Sequence, residues 1–561
     1  MYKFITQNNR YENYEYVETK TFKPVVIDGL NKTPLELKLF FNDTFSYNKD
    51  TNTIKLDHSN FKSNKYIPGI LDLSITHGKE KNKFLYLCKP DDKRIPFFLI
   101  PYNIPYDFDK SIKKLYITFH YDNWNNKFPR GKITQNLGNA NILHNYYEYA
   151  LYCKSLHHSI QAFSKDAKKK LLNKKNDDII NDITQTHNLK KIKKGEEYIF
   201  SIDSSKSIDY DDAISYSKSE HKIGIYVTNV AFIMDYLDLW NSFTNRICSI
   251  YLPDKRRTML PNIITENLCS LKEKTNKICY VLNIYYDEND NVKEQKLEIC
   301  NAYISKNYCY EEYEKYSNRE DFKKIQHLLG AKKYIEVVTK AMLYFNHEVA
   351  KILSKTNTGV YRCINQSINQ DLPDNLPDEI HNHISIIRGQ ASSYSLFDKQ
   401  IYKSAIHQDI NIYLQATSPI RRLVDVLNNI QICNIINKDF MIGNANNFYN
   451  LWTTGEKLDY INTASRAIRK IQSKCKIYEQ HERNISEGIE PIYRGYLFDK
   501  ILKEGDGKFQ YMVYLPDINV TTYITLLDEF QNYSIHKFKL YVFINEENDK
   551  KKIKLQICYN K

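Results

Sequence analysis

The sequence predicts a multidomain α+β protein, with small OB-type β-barrels at both ends and a larger mixed α/β body between them. Short apolar or aromatic runs separated by polar turns fill residues 1–110 and return near the C-terminus. Strand-like and long helical segments alternate from residue 196 to about 485. A chain of 561 residues and 66.6 kDa exceeds what one hydrophobic core usually organises, so several domains are expected.

The N-terminal runs have the alternation typical of short β-strands. KKLYITFHYDNW at 113–124 alternates apolar and polar residues, and NKFPRGKITQNLG then turns and begins another strand. Short alternating segments with frequent turn residues predict half-buried strands. We therefore expect a first β-barrel domain over residues 1–90 and a second over residues 91–160.

A basic helical stretch follows at 161–195. It contains AKKKLLNKK and LKKIKK, and lysine runs of this kind are typical of a solvated helix face. We expect a linker there rather than a specific site. The α/β body then covers residues 196–487, and the strand-like runs from KFQYMVYL to KIKLQICY predict a C-terminal OB barrel over 488–561.

Charge and cysteine content exclude several protein classes. The formal net charge is +13, which suits a polyanionic partner such as nucleic acid. The 11 cysteines form no Cys-x-x-Cys pair and have no disulfide-framework spacing, so we expect reduced thiols and a cytoplasmic, intracellular protein. We expect no signal peptide, because the N-terminal residues are polar, and no apolar run approaches the length of a membrane helix. A secreted disulfide scaffold, a membrane protein and a disordered chain are therefore excluded.

The sharpest chemical signal is EYIFSIDSSKSIDYDDAISYS at 197–217. A strand-like run ends at Asp203, and a polar turn then leads to Asp209, Asp211 and Asp212. In an extended chain Asp209 and Asp211 point to one side and Asp212 to the other, so all four converge only if the loop folds back. Clustered carboxylates repel one another, and a bound divalent cation offsets that repulsion.

The chemistry of this loop favours Mg²⁺ or Mn²⁺ among metals. An EF-hand is excluded by spacing, because the sixth residue from Asp203 is Ile208 and the twelfth is Ile214, where that loop has Gly and Glu. Oxygen ligands without nearby His or Cys disfavour zinc. An acidic surface loop that stays hydrated explains the same segment equally well.

A second signal lies in YLQATSPIRRLVDVLNNIQICNI at 413–435. The pair Ser418-Pro419 suits a helix N-cap and first helical position, which places Arg421 and Arg422 in the first turn. Two cations there oppose the helix dipole unless an anion is present. Asp425, four residues after Arg421, is expected to orient it. An internal salt bridge to an acidic loop is the alternative, more readily for one arginine than for both.

Taken together, these segments resemble the ribonuclease II/R (RNB) family of processive 3′→5′ exoribonucleases. The family's I-D-x(5)-D-x-D-D-A pattern is matched from Ile202 to Ala213. Its R-x-x-S-x-Y-L-P…M-L-P-x-x-L-S-x-x-L-C-S-L block is similar to residues 245–271. Residues 340–353 and the Tyr361-Arg362 pair are similar to the family's M-x-x-x-N-x-x-V-A helix and the Y-R that follows it. The fourth block runs from Tyr413 to Arg422. Four blocks in this order are far more specific than any single motif.

The resemblance extends outward along the chain. Residues 94–138 look like the second cold-shock OB domain of the eukaryotic branch, whose members include the exosome's catalytic subunit. The family therefore implies N-terminal cold-shock barrels, a central RNB catalytic domain and a C-terminal OB barrel. We expect no endonuclease domain of the kind that some members of this branch carry.

The resemblance also implies roles for the aspartates and the first arginine. Asp203, Asp209, Asp211 and Asp212 are expected to hold Mg²⁺, with Mn²⁺ as the alternative. Asp211 would also complete the catalytic charge arrangement. Arg421 would contact the scissile phosphate and stabilise the developing negative charge.

Further residues are expected to bind RNA. By resemblance, Arg422 and Arg362 would join Arg421 in contacting the RNA, and Tyr251 matches the family's aromatic residue that stacks on the last base. A core tyrosine before a Leu-Pro turn explains Tyr251 nearly as well, because stacking and packing need the same ring.

Departures from the family pattern indicate a divergent member. Where the family usually has H-I-A-D-V, this chain has Tyr226 and Asn229 in place of the His and the Asp. Leu423 and Asn429 stand where the family usually has a Tyr and a later His. The four aspartates and Arg421 are unchanged, so these departures bear on rate and processivity more than on reaction type.

The resemblance implies a Mg²⁺-dependent 3′→5′ exoribonuclease that hydrolyses single-stranded RNA stepwise to 5′-nucleoside monophosphates by a two-metal mechanism. One alternative is a catalytically weak RNA-binding protein that keeps the fold. Another is a subunit of a larger RNA-processing complex. We expect a monomer without a membrane partner.

Overall fold

The structure is a computed structural model that describes residues 1–106, 109, 111–363, 373, 376–377, 379–381, 383–384, 387, 392–398, 411–437, 443–503, 505, 507–547 and 549–559. Its contacts divide the described chain into two compact units. The first unit comprises Met1–His157, Leu252–Asp254 and Lys470–Lys561, and the second comprises His158–Tyr251 and Lys255–Arg469. Three small β-domains lie in the described part of the first unit, and the mixed α/β body lies in the second.

The three β-domains share one strand order. In each domain the first strand lies between the second and the fourth, the third strand pairs with the second, and the fifth pairs with the fourth. The N-terminal sheet comprises β1 Tyr2–Thr6, β2 Tyr14–Glu18, β3 Pro24–Val25, β4 Thr44–Asn48 and β5 Thr53–His58. Phe4 and Phe45 are fully buried in its core.

The second β-domain is a closed barrel between the short helix α1 Asn60–Ser63 and helix α2 Leu143–Tyr152. Its strands are β6 Ile67–Glu80, β7 Lys83–Pro90, β8 Phe98–Tyr102, β9 Lys114–Asn123 and β10 Arg130–Asn139. Strand β10 closes the ring by pairing with β8 and β9. The boundary that we expected at residue 90 therefore runs through this barrel, because alternation predicts a strand but not the partner with which it pairs.

The stretch that we expected to be a linker is part of the second unit. It forms α3 Gln161–Leu171, α4 Asn176–Thr186 and β11 Lys190–Ile192. The lysines of α3 are exposed, as expected, but Phe163 and Ile179 are fully buried. The run of charges concealed the apolar positions that recur on one face of each helix.

The α/β body is built around a ring of five strands. They are β12 Ile199–Asp203, β13 Asp212–Ser217, β14 Lys222–Thr228, β17 Thr275–Tyr286 and β18 Val292–Cys309. Each strand pairs with the next, and β18 returns to pair with β12 in parallel. Strand β11 extends the ring by pairing with β18. Two further ladders join β15 Ile250–Tyr251 to β16 Arg256–Arg257 and β19 Val360–Cys363 to β20 Ser393–Leu396.

Helices complete the body. They are α5 Val230–Tyr236, α6 Glu314–Ser317, α7 Glu320–Leu328, α8 Glu336–Lys355, α9 Leu423–Ile436 and α10 Asn444–Trp452, and a π-helix covers Ile263–Cys269. The long helix α11 Gly455–Ser486 belongs to the body up to Arg469 and to the first unit from Lys470 onward. Residues 423–433 of α9 are all buried, so this helix forms the centre of the helical layer. Among the described residues, no helix has the length and apolar character needed to cross a bilayer. All 11 cysteines are free thiols.

The third β-domain lies at the C-terminal end. Its strands are β21 Tyr493–Lys503, β22 Lys508–Leu515, β23 Val520–Leu526, β24 Ile535–Asn545 and β25 Lys550–Cys558. All pairings are antiparallel, in the order β23-β22-β21-β24-β25. Tyr511, Leu515 and Phe538 are fully buried in its core. The arrangement matches that of the closed barrel, as expected for an OB-type domain.

Candidate active site

Two of the predicted aspartates lie at facing ends of neighbouring strands. Strand β12 ends at Asp203 and β13 begins at Asp212, and these antiparallel strands are joined by the loop 204–211. Because the loop reverses the chain, both aspartates come to the same edge of the sheet. This is the fold-back that convergence of the aspartates required.

Asp211 is almost fully buried and held at both carboxylate oxygens. Its side chain is 4% exposed. The Ile420 backbone N–H donates to Oδ1 at 3.0 Å, and Arg421 Nε donates to Oδ2 at 3.0 Å. The preceding loop is fastened by Ser270, whose Oγ accepts from the Tyr210 N–H at 3.1 Å. The alternative of a hydrated acidic surface loop is therefore wrong.

Asp209 is held in a different way from the other three aspartates. Its side chain is 5% exposed and forms an ion pair with Arg256 of β16. Arg256 also reaches Glu266 of the π-helix, at 3.4 Å. Turns of π-helix are frequent at functional sites. Asp209 is thus neutralised by a cation from within the chain.

The other three carboxylates have raised pKa values, chiefly because they are buried. Burial, with a further contribution from the charge of Asp211, raises the pKa of Asp203 to about 6. Burial, opposed by Arg421, raises the pKa of Asp211 to about 6. Burial and the charges of Asp203 and Asp211 raise the pKa of Asp212 well above its usual range. Asp203, Asp211 and Asp212 therefore share one electrostatic environment.

The carboxylate oxygens have the chemistry of ligands for a hard divalent cation. Within the described residues, Asp203 Oδ2 and Asp209 Oδ1 are buried without a hydrogen-bond partner. Such an oxygen is costly unless a cation or water meets it, and oxygen donors suit Mg²⁺ or Mn²⁺. In the same part of the chain, no three His, Cys, Asp or Glu side chains are placed to hold one metal ion together. The donor set fits such a cation but is not assembled around one position.

Arg421 reaches the aspartates because two distant segments pair. Residues 247–249 and 421–423 form a short antiparallel bridge, in which the Ser249 N–H donates to the Arg421 carbonyl at 3.0 Å. Arg421 Nη2 also donates to Ser418 Oγ at 3.0 Å. The guanidinium is therefore held between Ser418 and Asp211, while the side chain remains 45% exposed.

Helix α9 begins later than the sequence suggested. Its first residue is Leu423, and Arg422 has an extended backbone before it. Arg422 is kept out of the helix by its bridge to Cys248, so the residues from Ser418 onward form a turn and Ser418 is not the N-cap. The Ser418 N–H donates instead to Asp425 Oδ1 at 2.7 Å.

Arg422 is paired inside the protein. Its Nη2 donates at 2.8 Å to Asp425, which is fully buried. Asp425 therefore orients Arg422, whereas we had expected it to orient Arg421. In the orientation that satisfies its amide, the Gln415 oxygen accepts from both Arg422 and Arg362 at 2.9 Å. The structure thus joins Arg362 and Arg422 in one network, and each of the two adjacent arginines has an acidic partner.

Tyr251 lies beside the charged groups with its ring nearly half open. It is 45% exposed and pairs with Arg256 across β15 and β16. Partial burial raises the pKa of its phenol, while the charge of Arg421 opposes the shift and that of Asp211 adds to it. This exposure favours the base-stacking role over that of a core tyrosine.

The departures from the family pattern occupy structural positions. Tyr226 is fully buried on β14, and its Oη donates to Glu197 at 2.7 Å. Asn229 caps α5 through its side chain, a role that an aspartate fills equally well. Leu423 and Asn429 are fully buried in α9.

Three side chains at the site were missed by the sequence analysis: Arg256, Glu266 and Tyr310. Tyr310 directly follows β18, and burial together with the charges of Asp212 and Asp203 raises its pKa. The Lys-Arg-Arg run that contains Arg256 was a signal for a counter-charge. The sequence around Tyr310 and Glu266 carries no such signal, because their place at the site depends on contacts between segments that are distant in the chain.

Two protein-family models match parts of this chain. The model of the RNB domain matches residues 186–357, a stretch that includes the four aspartates and Tyr251. The chain contains an RNB domain. A second model, the Dis3-like cold-shock domain 2, matches residues 85–151 and overlaps the closed barrel. The family resemblance and the predicted fold class are thereby confirmed.

Curated proteins with similar sequences are ribonucleases. Ribonuclease R of Helicobacter pylori is 27% identical over 189 residues, which cover 30% of this chain and 28% of that protein. DIS3-like exonuclease 2 of Xenopus tropicalis is 28% identical over 208 residues, covering 35% of this chain and 24% of that protein. The matched part is thus less than a third of the length of either relative.

Solved structures share the fold of the whole chain. The RNase R of Mycoplasma genitalium, in complex with ribose-methylated single-stranded RNA, has a TM-score of 0.65 at 14% identity, covering 99% of this chain and 100% of that one. Yeast Ssd1, described as a pseudonuclease, has a TM-score of 0.58 at 13% identity, covering 89% of this chain and 69% of that one. At these identities the likeness shows the fold alone.

Proposed function

We propose that this protein is a 3′→5′ exoribonuclease that hydrolyses single-stranded RNA stepwise and releases 5′-nucleoside monophosphates in the presence of Mg²⁺. The observation that carries the proposal is the contact between Asp211 and Arg421, which brings a phosphate-binding group to the carboxylate cluster. The names of the ribonuclease relatives and the RNA in the Mycoplasma genitalium structure support the choice of substrate.

In each step, water attacks the phosphorus of the last nucleotide and the O3′ of the preceding nucleotide leaves with a proton. Asp203, Asp209, Asp211 and Asp212 would hold Mg²⁺, or Mn²⁺ in its place. When bound, the cation supplies Lewis-acid stabilisation of charge on the phosphate. Arg421 adds a second positive group that remains accessible to the substrate, and Asp211 keeps its guanidinium in place.

Binding residues would set the position of the RNA end. Tyr251 stacks on the last base with the open part of its ring, and this contact does not depend on sequence. Arg362 contacts the RNA next to the scissile phosphate. Arg422, which neutralises the buried Asp425, holds the Gln415 network in which Arg362 lies. We further propose that the protein acts in the cytoplasm and as a monomer; size-exclusion chromatography of the purified chain would test the monomeric state.

A second candidate is an RNA-binding protein without nuclease activity. One observation favours it: Arg256 already forms an ion pair with Asp209, which is one of the predicted metal ligands. The fold is also compatible with loss of activity, because yeast Ssd1 is described as a pseudonuclease.

Incubation with 5′-labelled single-stranded RNA and Mg²⁺ separates the two candidates. The wild type is expected to give a ladder that shortens from the 3′ end, and Asp211→Asn to lower the rate by about 100-fold or more, because the variant loses the charge that faces Arg421. EDTA should abolish the ladder.

The exposed Asp178→Asn is the matched control and should leave the ladder unchanged. RNA that remains intact with the wild type, yet is shifted on a native gel, would reject the exoribonuclease and support the RNA-binding protein.

A further inference from the structure

The last two strands of the chain present an unusual exposed face. On β24, Phe538 is fully buried, whereas Lys537, Tyr541 and Phe543, which lie on the opposite side of the strand, are exposed. Tyr541 is 42% exposed and Phe543 is 44% exposed. Two large aromatic side chains on one solvent-facing side need an explanation beyond packing, because the core of this domain lies on the other side.

The pairing of β24 with β25 places a lysine beside each ring. Tyr541 lies directly opposite Lys554, and Phe543 lies directly opposite Lys552. Both lysines are exposed. We call Lys537, Tyr541, Phe543, Lys552 and Lys554 the β24–β25 face.

These side chains are not used by the fold in the part of the chain that the structure describes. There, Lys537, Lys552 and Lys554 form no ion pair, whereas neighbouring Lys539 pairs with Glu490 at 3.5 Å and Lys551 pairs with Glu482 at 3.4 Å. Within the same residues, neither exposed ring of the β24–β25 face contacts another aromatic ring. The face therefore carries positive charge and open rings that intramolecular contacts do not explain.

A single-stranded polynucleotide fits this combination. Side chains two residues apart on a strand are separated by about 6.8 Å, and aromatic residues on a sheet surface are known to stack on successive bases. Lysines beside the rings would neutralise the phosphates between those bases. An acidic protein surface would use the lysines but would leave the two rings unexplained.

We propose that the β24–β25 face binds single-stranded RNA, with Tyr541 and Phe543 stacking on neighbouring bases and Lys552 and Lys554 contacting phosphates. The choice of RNA over other polynucleotides rests on the proposed function. The stacking and charge arguments are independent of catalysis.

This surface differs from the one that OB folds usually use. Oligonucleotides commonly bind the face of the second and third strands, which are β22 and β23 in this domain. Strand β23 has no charged residue and β22 has only Lys508. The exposed ring there, Tyr523, is 57% open but has no lysine opposite it, since its partner across the ladder is Met512. Tyr523 therefore provides a matched control.

The test is binding of a fluorescein-labelled oligouridine of about 20 nucleotides, measured by anisotropy in EDTA so that no cleavage occurs. The double variant Tyr541→Ala/Phe543→Ala is expected to raise Kd at least about tenfold, and Tyr523→Ala to leave it unchanged. Leucine at both positions keeps the apolar area without an aromatic face and should give a similar loss. An unchanged Kd in both double variants would overturn the proposal.

The lysines are tested by salt dependence. Lys552→Gln/Lys554→Gln is expected to reduce the slope of log K against log salt by about 1.4, the value for two phosphate contacts on a single strand. A slope equal to that of the wild type would show that the lysines do not contact phosphate. This measurement does not depend on the rings, so it also holds where an aromatic variant folds poorly.

The two proposals fail in different ways. A wild-type protein that binds the oligouridine through this face but never shortens RNA rejects the exoribonuclease and supports the β24–β25 face. Degradation of RNA by the wild type, combined with unaltered binding by all face variants, rejects the face and leaves the exoribonuclease. A wild type that binds no RNA overturns both.

Discussion

At the scale of single residues, two adjacent arginines are placed for different tasks. The Arg421 side chain is 45% exposed and contacts Asp211 on one side and solvent on the other. The Arg422 side chain is 28% exposed and neutralises the fully buried Asp425. An arginine with an accessible guanidinium can bind a substrate phosphate. One that compensates a buried carboxylate contributes mainly to folding, because its removal leaves an unpaired charge inside the protein.

Exchange of either arginine for glutamine should therefore separate activity from stability. Arg421→Gln is expected to lower kcat/KM by about 100-fold or more. It should lower the free energy of unfolding less than Arg422→Gln does, because Asp211, whose pKa is about 6 beside Arg421, can take up a proton once the arginine is gone. Arg422→Gln is expected to lower the free energy of unfolding by about 3 kcal/mol. RNA-degradation rates and urea unfolding measure the two effects, and each variant is the control for the other. Equal losses of stability would contradict this division.

Arg256 is the residue that most limits the availability of Asp209. Removing its charge should make the carboxylate cluster more attractive to a cation, so Arg256→Gln is expected to lower the half-saturating Mn²⁺ concentration about tenfold. Calorimetric titration, or the rise in melting temperature with Mn²⁺, measures this without any RNA. Lys206→Gln makes an equal charge change at an exposed position of the same loop. It should alter the half-saturating Mn²⁺ concentration much less. Weaker Mn²⁺ binding by Arg256→Gln would show that Arg256 helps to place Asp209 for the cation.

At the scale of elements, local patterns were predictable and long-range pairing was not. The strand that ends at Asp203 follows from alternation in nearby residues, and the structure has it. The start of α9 was predicted at Ser418-Pro419 and was wrong, because a bridge between residues 247–249 and 421–423 draws Arg422 into an extended backbone. The pairing of Arg256 with Asp209 also depends on such tertiary contacts, so both charges are visible in the sequence but their pairing is not.

Strand β14 shows how a departure from the family is accommodated by packing. A Cβ atom at Gly224 would lie 2.8 Å from the Tyr226 ring, so the absence of a side chain at 224 leaves room for that ring. The Tyr226 hydroxyl then donates to Glu197, which also pairs with Lys222 at 2.8 Å. The tyrosine is thus accommodated by the space at Gly224 and by its hydrogen bond to Glu197.

Tyr226→Phe should test whether this position affects catalysis. Loss of one buried hydrogen bond to a carboxylate that keeps another partner is expected to lower the free energy of unfolding by about 1 kcal/mol. Because the phenol lies in the core, the rate of RNA degradation should be unchanged. A rate that falls about tenfold or more, in a variant with near-normal stability, would place the tyrosine in the catalytic mechanism.

At the scale of the whole molecule, family resemblance predicted the kinds of domain better than the sequence predicted their limits. The RNB domain and the cold-shock barrel are present. The limit at residue 90 failed because β6 and β7 close a barrel with strands that come later. Within the first unit, Asp549 of the C-terminal sheet is 4% exposed and forms ion pairs with Lys89, at 2.8 Å, and Lys114 of the closed barrel. This buried cluster ties two β-domains together.

Asp549→Asn should loosen that connection. Burial alone would raise the pKa of Asp549, but the contacts with Lys114 and Lys89 hold it below its usual range. A lowered pKa means that the stabilisation is present above the unfolded pKa and is lost as pH falls through the folded pKa. We expect the variant to unfold with about 2 kcal/mol less free energy at pH 7. The difference from the wild type should shrink below about pH 4 in denaturant titrations, and a difference that does not vary with pH would contradict the ion-pair explanation.

The contact between Arg421 and Asp211 has a consequence for how the protein is made. The two residues are separated by 210 positions, so the aspartate loop leaves the ribosome long before its arginine is synthesised. A contact of such high sequence separation forms late in folding, and chains fold in the order in which they emerge. A nascent chain that ends before residue 420 therefore contains all four aspartates but lacks Arg421, the residue that would bind a phosphate. In the exoribonuclease that we propose, late assembly of the site would keep the nascent chain from degrading the messenger and the ribosomal RNA beside which it is translated.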